Sequence, residues 1–335
     1  MRGGGAAIRL LPFLWALAGC AKLAVYEPSS VKSRLWFDER IESEIVFVSE
    51  NAAVTADGKI ITDREITVDR LPEGFRLLNI NGRYLLAADR GGRLLLFFPN
   101  GARKEFLFDE PIVAAATDGR TIALVSRGNV SRLFDVESAE TIFSSREKPV
   151  MTISDKIASP IMSRNEAVFP TLDGKLLIVD RAARKTVGEF ALSNESFFAN
   201  LIFLGEFDGH IIAATANRFF SIGRNGVRHS RDVSVRFAAV FPSGLYTFLQ
   251  DGTAQRLSPR LEAESSAKET YARFVAAAEY KGAIYAAEQS GYLVKFEDDL
   301  KKTTVYELPD AVRARIFAAK DRLYLNNKII EWSGR

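Results

Sequence analysis

The chain predicts an all-β fold: a β-propeller of eight four-stranded blades, with seven as the alternative count, closed by an N-terminal strand. Three observations predict it. Apolar runs of four to five residues recur between tight turns, helical periodicity is nearly absent, and the turns return about every 38 residues.

The turns come first. Asp-Gly pairs stand at Asp57, Asp118, Asp173, Asp208 and Asp251, and Asn-Gly pairs at Asn81, Asn100 and Asn225. Such pairs favour the positive φ that two-residue hairpin turns require. The flanking runs Tyr84–Ala88, Leu94–Phe98, Lys175–Val179, Ile211–Thr215 and Ile284–Ala287 have the length and composition of strands. The unit is clearest from Asn165 to Asp180: an apolar strand, a tight turn, a second apolar strand and an acidic end. Copies centre on positions 58, 92, 129, 174, 217, 252, 291 and 327, at intervals of 34, 37, 45, 43, 35, 39 and 36 residues. A period near 40 with several strands per unit marks propeller blades, whose radial repetition leaves only short, protected edges. Glu262–Arg273 has the best local helical spacing, but it is polar and reads as a connector.

The last unit supplies three strands, Ala314–Ala319, Leu323–Leu325 and Lys328–Trp332. Leu35-Trp36-Phe37 is spare at the other end of the chain. The expectation is that it pairs with 328–332 and closes the ring, which brings Trp36 and Trp332 into one blade and removes two open edges.

Ahead of the repeat, Arg2 and Arg9 precede an apolar run from Leu10 to Leu17, too short for a bilayer span of about 20 residues. A charged start, a short apolar run and small residues before a cut site describe a secretory signal. Leu17-Ala18-Gly19-Cys20 resembles the lipobox of bacterial lipoproteins, and Cys20 is the single cysteine of the chain. The plainer alternative is an ordinary secretory signal with a chance cysteine. The resemblance implies cleavage before Cys20, acylation there, and, with Ala21 following, an outer-membrane destination. The expected organisation is therefore a signal peptide over 1–19, a lipidated tether over 20–34 and one propeller domain over 35–335.

Without residues 1–19 the chain holds 43 basic and 42 acidic residues, so no strongly basic face for nucleic acid is evident. No intrachain disulfide is possible, and stability must come from burial. A chain that is 47% hydrophobic, with 24 Phe, is rich enough for a large core.

Ile157-Ala-Ser-Pro-Ile161, followed by Ala167 to Asp180, resembles the blade motif of PQQ-like propellers, and Gly291-Tyr-Leu-Val-Lys-Phe296 is a weaker copy. Length, lipobox and blade number resemble the BamB-type lipoproteins of outer-membrane β-barrel assembly. That family usually carries a Trp near the end of the outer strand; here Glu189-Phe190 stands in that place. The resemblance implies a lipid-anchored scaffold with a protein partner in the envelope, or else an accessory subunit of another periplasmic complex such as a respiratory oxidoreductase, a motor or a secretion apparatus.

No catalytic residue is expected. The chain lacks a Gly-x-Ser-x-Gly elbow, a Walker loop and a dinucleotide fingerprint. PQQ chemistry would need an acidic calcium set and usually a vicinal disulfide. His210 and His229 read as residues of neighbouring strands in one blade, short of the third ligand a metal site requires. Glu297-Asp298-Asp299 lacks calcium-loop spacing and reads as a solvated turn. Arg313-Ala-Arg315 and Arg181–Lys185 read as exposed basic clusters. Phe197-Phe198 and Leu201-Ile202-Phe203 read as core, with a contact patch as the alternative. The expectation is no cofactor and no metal, with Cys20 as the lipidation site.

Overall fold

A computed structural model describes residues 25–331 apart from 50, 151–156, 194–198, 298, 310–314 and 320. Among the described residues every regular element is a strand, and the strands form eight sheets. Blades 1 to 7 span 45–71, 76–107, 112–146, 161–191, 203–232, 235–268 and 274–307; blade 8 spans 316–331. The first strand of each blade lies innermost and the fourth outermost.

Eight buried clusters show why the sheets close into a ring. Each draws apolar side chains from two adjacent blades. Leu86, Leu96, Ile122 and Phe134 join blades 2 and 3, for example. The cluster of Ile45, Ala53, Phe317, Tyr324 and Ile329 joins blade 8 to blade 1. Each fully buried Leu or Phe contributes about 1.5–3 kcal/mol. Aromatic pairs bridge the seams as well: Phe106 meets Phe134 edge-on at 4.9 Å, and Phe248 meets Phe274 at 5.3 Å. Phe190, standing where the BamB-type pattern has Trp, lies 5.7 Å from Phe220 of blade 5 and carries Arg228 above its ring at 4.4 Å.

All eight turns read from the sequence fall between the second and third strands of a blade, and one hydrogen bond repeats there. The carbonyl of the turn residue accepts from the backbone N–H of the chain leaving the outer strand. The acceptors are 58, 92, 129, 174, 217, 252, 291 and 327; the donors are 71, 108, 147, 192, 233, 269, 308 and 41. This latch explains the glycines. At Gly252, with φ +85°, a Cβ would sit 2.0 Å from the Glu269 carbonyl oxygen. It also identifies 69–71, joined to Ile60–Ile61 through the Lys59–Arg70 bridge, as the outer strand of blade 1.

The eighth donor, Ile41, reveals the closure, which differs from the expectation in position. The closing strand is Glu39–Arg40, antiparallel to Lys328–Glu331 in the register Glu39↔Ile329 and Arg40↔Lys328. Leu35 instead enters the core between blades 7 and 8, and Trp36 is 68% exposed. An apolar side chain is worth most in the seam, whereas a solvent-facing outer strand needs only backbone pairing. Trp332 lies outside the described residues.

Of the expected tether over 20–34, residues 20–24 lie outside the described residues, and the rest is docked on the ring. Tyr26 is 3% exposed, donates its hydroxyl to Glu269 at 2.8 Å and meets Tyr292 edge-on. Ser33–Arg34 adds a fifth, parallel strand to blade 7. The segment is held because its Tyr and backbone find partners. Glu262–Arg273, expected as a connector, instead holds Ala263–Lys268, the outer strand of blade 6.

The alternating strands give the ring two faces. The hairpin face carries the turns between strands one and two and between strands three and four. The crossover face carries the latch turns and the connections between blades.

Candidate functional site

The hairpin face opens into a continuous cleft at the seam of blades 4 and 5. One part, about 810 Å³, lies over Asp208-Gly209-His210 and Gly223–Val227, with Arg260 entering from blade 6. The second, about 570 Å³, shares His210, Gly223 and Arg224 and reaches Ser163–Glu166 of blade 4. Local sequence shapes it. Asp208-Gly209 and Asn225-Gly226 adopt the tight turns that Asp-Gly and Asn-Gly favour: φ is positive at Asp208, Gly209 and Gly226. Gly223 leaves room for the imidazole of His210, whose Nε2 would lie 3.0 Å from an added Cβ.

The cleft is chemically mixed. Ile161, Val168, Ile178, Ile211 and Ile222 supply apolar wall. Arg164, Arg224 and Arg260 line it without forming an ion pair among the described residues. Glu166 and Glu206 bring negative charge. An open cleft of this kind suits an extended, charged polypeptide better than a small molecule, which is usually enclosed.

His210 and His229 both line the cleft, but their strands, His210–Ala214 and Arg228–Asp232, are separated by Arg218–Gly223. The expected adjacency is therefore corrected: the meander inserts one strand between them. Among the described residues no group of three His, Cys, Asp or Glu could hold a metal ion. Glu297 pairs with Lys295 and Lys302, and Asp299 with Arg256; Asp298 lies outside the described residues. These pairings depress the Glu297 carboxyl, chiefly through the Lys295 hydrogen bond.

Arg181 ties blade 4 to Asp118 of blade 3 and donates to the Ser163 carbonyl, while Arg184 and Lys185 are exposed. Leu201 and Phe203 are buried in seams. Cys20, Phe197, Phe198 and Arg313 lie outside the described residues, and the Arg315 backbone N–H donates to Asn326. Sequence reasoning missed Arg164, Arg224 and Arg260. One signal was available: Arg224 and Arg260 occupy the same turn, between strands three and four, in consecutive blades.

No family model matches the chain. It is 22% identical to the plasminogen-binding protein PgbB from two strains of Helicobacter pylori, over 97% of this chain and 70% of theirs. Among solved structures it resembles BamB from Moraxella catarrhalis, with a TM-score of 0.65, 12% identity and coverage of 89% of this chain and 99% of that one. It also resembles the C-terminal WD40 domain of Sif2, with a TM-score of 0.63, 14% identity and coverage of 91% and 100%. At these identities the likeness establishes the architecture: an all-β propeller ring of eight blades.

Proposed function

We propose that the protein is a non-catalytic, lipid-anchored scaffold that binds another protein of the bacterial envelope. The carrying observation is the open, mixed-charge cleft on a rigid ring, where three arginines form no ion pair among the described residues. Rigid scaffolds present binding residues on turns of this kind. The relatives named for plasminogen binding and the BamB-like fold support a protein ligand. The favoured role is BamB-like, in outer-membrane protein assembly, with the lipid on Cys20 and the ring facing the periplasm. The alternative is an accessory subunit of another periplasmic complex.

Affinity purification from gently solubilised membranes tests the role. Recovery of β-barrel assembly proteins supports the first version, recovery of a different complex supports the second, and recovery of the protein alone refutes both. Arg164→Glu with Arg224→Glu should abolish capture of the partner. Immobilised plasminogen checks directly whether the relatives' named ligand is shared. Metabolic labelling with palmitate, lost in Cys20→Ser, tests the anchor.

A further inference from the structure

We infer that the crossover face rests on an anionic lipid surface, held there by a short N-terminal leash and by arginines around the centre of the ring.

Three observations on that face converge. The first is where the chain enters. Tyr26 is clamped between Glu269 in a crossover and Tyr292 beside a latch turn. Only residues 21–25 separate it from Cys20, and this stretch, however arranged, reaches at most about 20 Å. An acyl group on Cys20 therefore keeps this face close to the bilayer. This step rests on the anchor reading above.

The second is charge. Arg90 and Arg127 project from latch turns, two residues before Gly92 and Asn129. Arg273 ends a crossover and is exposed. Arg76 donates to the Ile112 carbonyl at 2.7 Å. Across the ring, Arg236 donates to the Phe274 carbonyl at 2.6 Å and to Gln289 at 3.2 Å. None of the five forms an ion pair among the described residues. Burial, together with the charges of Arg90 and Arg127, lowers the Arg76 pKa. Three carboxylates of this face are hydrogen-bonded or ion-paired by other groups: Asp89 by Arg93, Glu110 by Ser126, Gly128 and Arg146, and Glu288, which also attracts Arg236, by Arg273 N–H and Ser290. Arginines on opposite sides of the ring centre, without an ion pair among the described residues, suit a planar array of phosphates.

The third is exposed apolar surface on the same rim. Tyr271 is 57% exposed and Val25 60%. Tyrosine is favoured at the level of lipid headgroups.

Vesicle sedimentation tests the proposal without the anchor, because a chain starting at Ala21 keeps Tyr26 and every described strand. It should bind vesicles of phosphatidylglycerol mixed into phosphatidylcholine and bind pure phosphatidylcholine far more weakly. The triple variant Arg90→Ala, Arg127→Ala, Arg273→Ala should lose about a hundredfold, at roughly fivefold per basic residue. The matched triple on the hairpin face, Arg83→Ala, Arg120→Ala, Arg184→Ala, should lose less than about threefold. Unchanged melting curves establish that all six exposed sites leave the fold intact. Equal losses in the two triples, indifference to phosphatidylglycerol, or binding of polyglutamate in place of vesicles would overturn the proposal. Absence of palmitate on Cys20 with arginine-dependent vesicle binding removes the anchor and leaves the face; the reverse pattern removes the face and leaves the anchor.

Discussion

Blades 2 and 8 are built to one plan from different stretches of chain. Blade 2 takes four consecutive strands, ending in Arg103–Leu107. Blade 8 takes three from the end of the chain and its outer strand from Glu39–Arg40. Both are fastened by the same latch, Phe108 N–H to Gly92 O at 3.0 Å and Ile41 N–H to Asn327 O at 2.8 Å. They differ in how the outer strand is held to the core. Blade 2 buries Phe106 from within the strand, whereas the closing segment buries Leu35, four residues before its strand. Backbone geometry therefore defines an outer strand, and its apolar anchor can stand apart from it.

The largest break in this comparison is deletion of 33–41. It strips the latch, the paired edge and Leu35 together, and should lower unfolding stability by about 5 kcal/mol in denaturant titration. An unchanged midpoint would show that blade 8 does not need its borrowed strand. Next come the two anchors. Phe106→Ala and Leu35→Ala should each cost about 3 kcal/mol, read the same way. A negligible cost at Leu35 alone would separate the two designs.

A smaller contrast lies within blade 2. Gly92 has φ +89°, and a Cβ there would lie 2.4 Å from the Phe108 carbonyl oxygen; Gly82 has φ +58° with open space around it. Gly92→Ala should cost about 3 kcal/mol and Gly82→Ala about 1 kcal/mol, since only the first also breaks a latch.

The smallest effect concerns the junction of blades 2 and 3. Hydrogen bonding from Ser126 first, then from the Gly128 N–H, together with Arg146, holds the Glu110 carboxyl below its ordinary 4.5. Because the folded value is the lower one, this stabilisation is present above about pH 4.5 and is lost as pH falls through the folded value. Glu110→Gln should flatten the acid limb of the stability curve; an identical limb would remove Glu110 from the account.

The repeat was legible because six of the eight latch acceptors, Gly58, Gly92, Asn129, Gly174, Gly252 and Gly291, take positive φ, which Gly and Asn tolerate; Asn217 and Asn327 accept the latch bond without it. Gly92 and Asn129 are two such markers. The closing strand was misplaced because Leu35-Trp36-Phe37 is more strand-like in composition than Glu39-Arg40. Composition reports the demand for burial, and the edge of blade 8 demands only hydrogen bonds. The cleft was the least legible feature. Arg164, Arg224 and Arg260 come from three blades, and only the ring brings them together. Tyr26 was invisible for the same reason: its partners, Glu269 and Tyr292, lie more than two hundred residues away.

The bond between Ile41 and Asn327 also orders events in time. The earlier segment must wait until Asn327 has emerged, roughly tens of seconds later at ordinary synthesis rates. Until then Glu39–Arg40 has no partner strand. Closure of the ring is therefore a late event, complete only when two distant stretches of chain have met.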